Sequence, residues 1–337
     1  MPQAARSNAR NGARIMGTPN RTSPERLAEI INFALENGDE AACKIFDLKS
    51  ETLNRYRRKY QNEVNRNFKI TATLKKIEEQ YDEKELKAIA AGGRIVPGYG
   101  KVPMVDFEGE AIKFTHVTDT HMGSLFFHEK HWDMVLEESR REKVDFICHS
   151  GDVTEGMSKR DGHIYELSHL GYDKQKDYAI EQLSKWRGKY YMIDGNHDRW
   201  FLKSNGAIIV KDVCAMLPDA TFLGHDIGVI SLKGHAVLQL WHGEDGSSYA
   251  TSYRVQKIIE AYTGGEKPNI LLCGHTHKQL QMYERHIHAF SGGSIQCQTP
   301  WMKSTRKQAH TGFWIITAWI NKTGVAKLQS TWYPFYA

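Results

Sequence analysis

Apolar residues in this chain follow two different rhythms. Near the N-terminus they recur at three- and four-residue spacing. Leu27, Ile30, Ile31 and Ala34 make one stripe of a helix that Ser23 can cap, Pro24 can open and Gly38 can close. From Lys113 onward, short runs of strand length take over: Lys113–Thr118, Val144–His149, Tyr190–Ile193, Val237–Trp241 and Asn269–Cys273. Helical spacing appears between them, over Trp132–Glu138, Tyr178–Trp186 and Tyr253–Tyr262. Strands alternating with helices predict a layered α/β domain, in which loops at the carboxyl ends of strands aim the chemistry.

Composition narrows the class. The chain has 337 residues, 40% hydrophobic and 25% charged, enough for a large core and two domains. No run approaches the roughly 18 apolar residues of a membrane span, and Met1–Asn20 has Arg but no apolar signal core. The five Cys at 43, 148, 214, 273 and 297 form no C-x-x-C pair and suggest no disulfide framework, so the cytoplasm is the expected compartment.

Five short segments each follow a strand-like run. They are Asp119-Thr120-His121, Gly151-Asp152-Val153-Thr154-Glu155, Gly195-Asn196-His197-Asp198, Trp241-His242-Gly243 and Gly274-His275-Thr276-His277. Carboxylate oxygen, amide oxygen and neutral imidazole suit hard or borderline divalent ions such as Mn²⁺, Fe or Zn²⁺. The segments supply two Asp, one Asn and four His of that kind, and leave His197 over. Two ions about 3.5–4 Å apart need a bridging ligand, which a carboxylate provides well. Gly151, Gly195, Gly243 and Gly274 adjoin the candidate ligands, where the chain must turn sharply. Among the remaining His, 163, 286, 288 and 310 read as ordinary surface or core residues.

In this order the five segments resemble the calcineurin-like metallophosphoesterase family over roughly residues 112 to 320. The resemblance implies two mixed β-sheets packed together with helices outside, and hydrolysis of phosphate esters at two divalent ions, Mn²⁺ foremost. It implies that Asp152 bridges, that Asp119, His121 and His277 hold the first ion, and that Asn196, His242 and His275 hold the second. His197 would face the substrate and protonate the leaving oxygen or stabilise charge on the phosphoryl group. Asp198 would hold its other ring nitrogen, and Glu155 would orient a ligand. Gly-Asn-His-Asp and Asp-Thr-His-Met-Gly look more like the nuclease and phosphodiesterase branches than the protein phosphatases. The latter carry Gly-Asn-His-Glu and an Arg-Gly immediately after the bridging segment, both missing here. The DNA-repair exonucleases of the double-strand-break complex share several of these segments. They also carry a DNA-binding cap after the last His pair, where this chain has only 60 residues, mostly strand-like.

The first ninety residues form a different module. Residues 1–20 are polar and expected to be disordered. Ala42 to Tyr60 resembles a helix-turn-helix, with Asp47 where the motif usually carries Gly, Ser50 as cap, and Leu53, Tyr56 and Tyr60 facing inward. Thr52, Arg55, Arg58 and Lys59 would then face a nucleic acid. Residues 1–93 carry 17 Lys and Arg against 13 Asp and Glu, so a net +4 of the chain's +5 lies there, consistent with a polyanionic partner. A further helix, Lys69–Ala91, carries Leu74, Ile77 and Tyr81 on one stripe. The expected organisation is therefore a disordered 1–20, a helical module 21–92, a linker 93–111 and a catalytic domain 112–337.

Three functions fit: a metal-dependent nuclease acting on DNA, a small-molecule phosphodiesterase or phosphatase, and a nucleic-acid-binding protein working through the helix-turn-helix. Intact ligand segments favour the enzymes. The loop Gly156–Tyr172, with Met157, Lys159, Arg160 and His163, would overhang the metals and contact substrate phosphates. The tract Gln296–Gln308, with Trp301, Lys303, Arg306 and Lys307, would meet substrate by stacking and charge.

Overall fold

The computed structural model describes residues 24–60, 102–243, 248–263 and 267–336. The chain divides into two compact units, Met1–Glu79 and Gln80–Ala337. The expected disorder of residues 1–20, the helix Lys69–Ala91 and the first half of the linker all fall outside the described residues.

In the first unit the predicted stripe is a helix, Pro24–Asn37. Its Leu27, Ile30, Ile31 and Ala34 are buried, the last three packing with Ala42 and Leu53. Gly38 ends it at φ +85°, donating its N–H to the Ala34 carbonyl at 3.0 Å. A short helix, Asp39–Ile45, follows. Asp47 makes the turn at φ +49°, which a short polar side chain tolerates. The third helix runs from residue 50 to the end of the described segment at 60. Ser50 is not its cap: the Lys49 carbonyl accepts the N–H groups of Thr52 and Leu53, so Ser50 already lies in the first turn. Leu53 is buried, and Tyr56 and Tyr60 pack against the same cluster.

The second unit is built on two six-stranded mixed sheets. One has the order β12 (Gly324–Pro334), β11 (Gly312–Asn321), β2 (Ala111–Val117), β3 (Phe146–Ser150), β4 (Lys189–Asp194), β5 (Ala220–His225). Its β2 to β5 are parallel, and β11 joins β2 antiparallel. The other has the order β1 (Met104–Val105), β6 (Ile227–Leu232), β7 (Ala236–Trp241), β8 (Ile270–Cys273), β10 (Ile287–Gly292), β9 (Gln279–Glu284). Here β7, β8 and β10 run parallel. Strand β1 lies in the stretch expected as linker; it pairs with β6 through Met104 and Ser231, so the folded domain begins before residue 112.

Side-chain alternation sets the layers. Phe114, Phe146, Cys148 and Ile193 point between the sheets and meet Leu238, Leu240, Leu272 and Phe290. The Phe114 and Phe146 rings stack there at 5.3 Å. On the reverse face Ile147 and Met192 meet the helices Glu129–Arg141, Tyr172–Ser184 and Ile209–Met216 through Trp132, Leu136, Leu183 and Val213. The helix Tyr253–Ala261 covers the outer face of the other sheet, placing Val255 and Ile259 on Leu271 and Ala289. Strand β3 is buried along its whole length because both its faces are covered. No described helix is long and apolar enough to cross a membrane.

Candidate metal centre

All five segments leave the carboxyl ends of parallel strands. Asp119 and His121 follow β2, Asp152 follows β3 and Asn196 follows β4, while His242 follows β7 and the pair His275 and His277 follows β8. Stacking the two sheets brings these ends together. Asp119, His121, Asp152, His275 and His277 all have φ between +51° and +71°. That backbone region costs a non-glycine residue of order 1–3 kcal/mol, and its concentration here marks a site held open for function.

Two sets of donor atoms converge. In the first, Asp119 Oδ1 lies 3.1 Å from His277 Nε2, and His277 Nε2 lies 3.1 Å from His121 Nε2. In the second, Asn196 Oδ1 lies 2.9 Å from His275 Nδ1 and 3.1 Å from His242 Nε2. One oxygen belongs to both: Asp152 Oδ2 is 3.1 Å from His242 Nε2 and 3.8 Å from His121 Nε2. The other oxygen, Oδ1, accepts the His197 N–H at 2.9 Å, which fixes the carboxylate between the two sets. Groups of three residues with metal-holding spacing include Asp119–His121–His277 and Asp152–His242–His275.

The donors fit divalent ions. Asp119 Oδ1 is buried without a hydrogen-bond donor, an arrangement that is costly unless a cation satisfies it. His242 Nδ1 lies 2.7 Å from the Ser150 carbonyl and donates to it, which leaves Nε2 free to ligate. Asp119 Oδ2 accepts from Thr118 Oγ1 at 2.6 Å and from the His275 N–H at 3.0 Å, which aims Oδ1 into the centre. At Gly195 a Cβ would collide with Asp152 and come within 2.6 Å of His242 Nε2, so only glycine lets this loop approach.

Electrostatics bind the cluster together. Burial alone would raise the carboxyl of Asp152, yet His242 and His197 hold it well below the usual range. Burial works against charged His242, but Asp152 and Asp119 push it up to about 10. His197 is likewise opposed by burial and raised to about 9 by Asp152 and Glu155. His275, with burial and His242 acting against charge, falls to about 4.

His197 sits beside both sets. Its ring packs on Trp200 at 4.0 Å and lies edge-on to His121 at 4.5 Å. Asp198 does not hold it, contrary to the sequence expectation. The carboxylate of Asp198 accepts from the N–H groups of Val153, Thr154 and Gly195 at 2.8–3.0 Å and from Thr154 Oγ1 at 2.8 Å. It ties the β3 and β4 loops to each other. His197 Nδ1 donates instead to the Glu155 carbonyl at 2.9 Å, with Glu155 Oε1 at 3.6 Å.

Glu155 is a hub. Its Oε2 lies 3.1 Å from His121 Nδ1 and accepts from Gln296 Nε2 at 2.7 Å, and its Oε1 lies 2.9 Å from His163 Nε2. The sequence treated His163 as ordinary and gave Gln296 no role in the centre. Only the fold brings them to Glu155, and their single prior signal was membership of two polar loops flanking the metal segments.

A cleft of about 850 Å³ opens above this floor. Arg160, Trp301, Arg306 and Lys307 line it as expected; Arg254 and Lys278 were not anticipated. In the helical unit, Arg55, Arg58 and Lys59 are exposed and Thr52 is half-buried.

A family model described as calcineurin-like phosphoesterase matches residues 112–279, the stretch that carries all seven candidate ligands. Residues 112–279 are therefore a calcineurin-like phosphoesterase domain, of a family of metal-dependent hydrolases of phosphate esters. The DNA polymerase II small subunit of Archaeoglobus fulgidus is 23% identical over 230 residues, covering 56% of this chain and 47% of that protein. The chain thus spans about half the length of the curated relative it matches. Among solved structures, an archaeal phosphodiesterase matches at 13% identity and TM-score 0.39, covering 66% of this chain and 100% of the other. Yfce, a phosphoesterase from E. coli, matches at 17% and TM-score 0.39, covering 65% and 98%.

Proposed function

We propose that the domain hydrolyses phosphodiester bonds of nucleic acid, DNA foremost, using two divalent ions, Mn²⁺ foremost. The observation that carries this is the Asp152 oxygen shared between two converging donor sets, on the floor of a cleft walled by cations. Asp119, His121 and His277 would hold one ion, Asn196, His242 and His275 the other, and Asp152 both. Ions bound there would supply an activated water at neutral pH and offset charge on the phosphoryl oxygens.

The chain's own groups do the rest. Water oxygen bonds to phosphorus as the bond to the leaving oxygen breaks, and that oxygen needs a proton. His197 carries it on Nε2, because Nδ1–H is engaged by the Glu155 carbonyl. Bound cations would offset the Asp152 charge, so contact with Glu155 is what keeps His197 protonated. Glu155 also fixes His121 from behind, which ties the acid to one ligand of the first ion.

A relative named as a DNA polymerase small subunit supports a nucleic-acid substrate. So does the exposed Arg55, Arg58 and Lys59 face of the helix from residue 50, which we assign to contact with the same polyanion. Purified protein with Mn²⁺ should degrade a DNA oligomer, and Asp152→Asn should not. Turnover of bis-p-nitrophenyl phosphate or nucleotides with DNA left intact would replace this reading with that of a small-molecule phosphodiesterase.

A further inference from the structure

We propose that Trp301 is a stacking platform for an unpaired base, so that the cleft takes single-stranded nucleic acid with backbone phosphates held on both sides of the scissile one. This rests on the nucleic-acid reading above and specifies the form of the substrate.

Trp301 is presented to the cleft by a built support. It stands at the start of the short helix Pro300–Ser304, where Thr299 Oγ1 accepts the Met302 N–H at 3.2 Å. Met302 is buried beneath, while Trp301 keeps 40% of its surface exposed on the cleft wall. Two cations lie over the ring, the Arg160 guanidinium 5.2 Å from its centre and the Lys307 ammonium at 4.3 Å, so a base would stack on the part of the indole they leave exposed. Glu166 anchors Arg160 through a 2.6 Å contact, so Arg160 is fixed beside the ring.

Separate segments complete the wall. Arg254 and Lys278 contribute further positive charge, and Tyr249 is fully exposed beside them. The floor carries the metal donors instead, His121, Asp152, Asn196, His275 and His277 among them. A phosphate monoester or one mononucleotide would engage the floor without reaching most of these side chains. A strand carries a phosphate at every step and a base between, which matches cations alternating with aromatic faces. A duplex offers such a face only at its ends, because its internal bases are already stacked on one another.

The test is binding, read separately from cleavage. A fluorescein-labelled phosphorothioate thymidine oligomer is titrated with the full chain in Mn²⁺, following anisotropy. Trp301→Ala should weaken it about ten-fold or more and Trp301→Phe should fall between, as expected for stacking. Lys307→Gln should lower the slope of log Kd against log salt by about 0.7. A blunt duplex should bind more weakly and show no response to Trp301→Ala. Unchanged affinity in Trp301→Ala at an unchanged unfolding midpoint would overturn the platform, as would equal losses for strand and duplex. If Trp301→Ala lowers the midpoint, Trp301→Phe and Lys307→Gln decide, and parental affinity in both overturns it. Binding through Trp301 with no cleavage removes the nuclease reading and leaves the platform; cleavage indifferent to Trp301 does the reverse.

Discussion

The floor and the walls of the cleft are built on opposite principles. Floor residues come from strand ends, are mostly buried, and several hold left-handed backbone conformations that the surrounding sheets enforce. Wall residues come from loops and from two helices, Tyr253–Ala261 with Arg254 and Pro300–Ser304 with Trp301, and Trp301 and Tyr249 among them stay exposed. Rigid strand ends suit ions, whose ligands must be fixed within fractions of an ångström. Loops suit a substrate, where charge and aromatic area matter more than exact placement. The contrast separates reaction type, fixed by the floor, from substrate choice, fixed by the walls.

The largest effect should come from the shared floor oxygen. Asp152→Asn should abolish detectable hydrolysis and lower metal content measured by native mass spectrometry, because one residue serves both donor sets. His197→Ala should cost about 10²–10⁴-fold in kcat while metal content holds. The loss should be smaller for a p-nitrophenyl ester, whose leaving oxygen needs no proton. An equal loss for good and poor leaving groups would remove the acid role of His197.

Asp198→Ala tests whether that neighbour acts on chemistry or on the loops. It leaves three backbone N–H groups without their acceptor, at about 1–3 kcal/mol for each buried group. Chemical denaturation should therefore show a loss of several kcal/mol.

His163→Ala should reduce metal affinity or turnover by about 10–100-fold, the usual range for partners behind a ligand, by releasing Glu155 from one side. Wild-type turnover in that variant would confine the hub to Gln296 and His121.

The smallest effect is on pH. In metal-free protein His242 is raised to about 10 and His197 to about 9, so both favour their charged forms in the fold. That stabilisation is fully present below the ordinary histidine pKa of about 6.5. It is lost as pH rises through the raised values. Metal must displace the His242 proton, so binding should release protons and tighten as pH rises toward 10. Calorimetry in two buffers of different ionisation enthalpy would detect the release; identical apparent enthalpies would deny it.

Much of the floor was legible because each ligand segment follows a run whose periodicity marks a strand end. Asp119, His121, Asp152, Asn196, His242, His275 and His277 need no partner in the local sequence to be noticed. Asp198 was misread for a physical reason: adjacency along the chain says nothing of direction, and its carboxylate turns toward the loop at Val153 and Thr154. Nor could spacing show that Glu155, rather than Asp198, holds His197.

What the amino-acid order alone determined is the chemistry of the donors and their places at the tips of strands, because residue type and local periodicity are properties of short segments. Only tertiary structure decided the shared Asp152 oxygen, the Glu155 hub with His163 and Gln296, and the setting of Trp301 between Arg160 and Lys307. These contacts join residues up to 141 positions apart. They exist because two sheets stack face to face, and that stacking is set by the whole buried core.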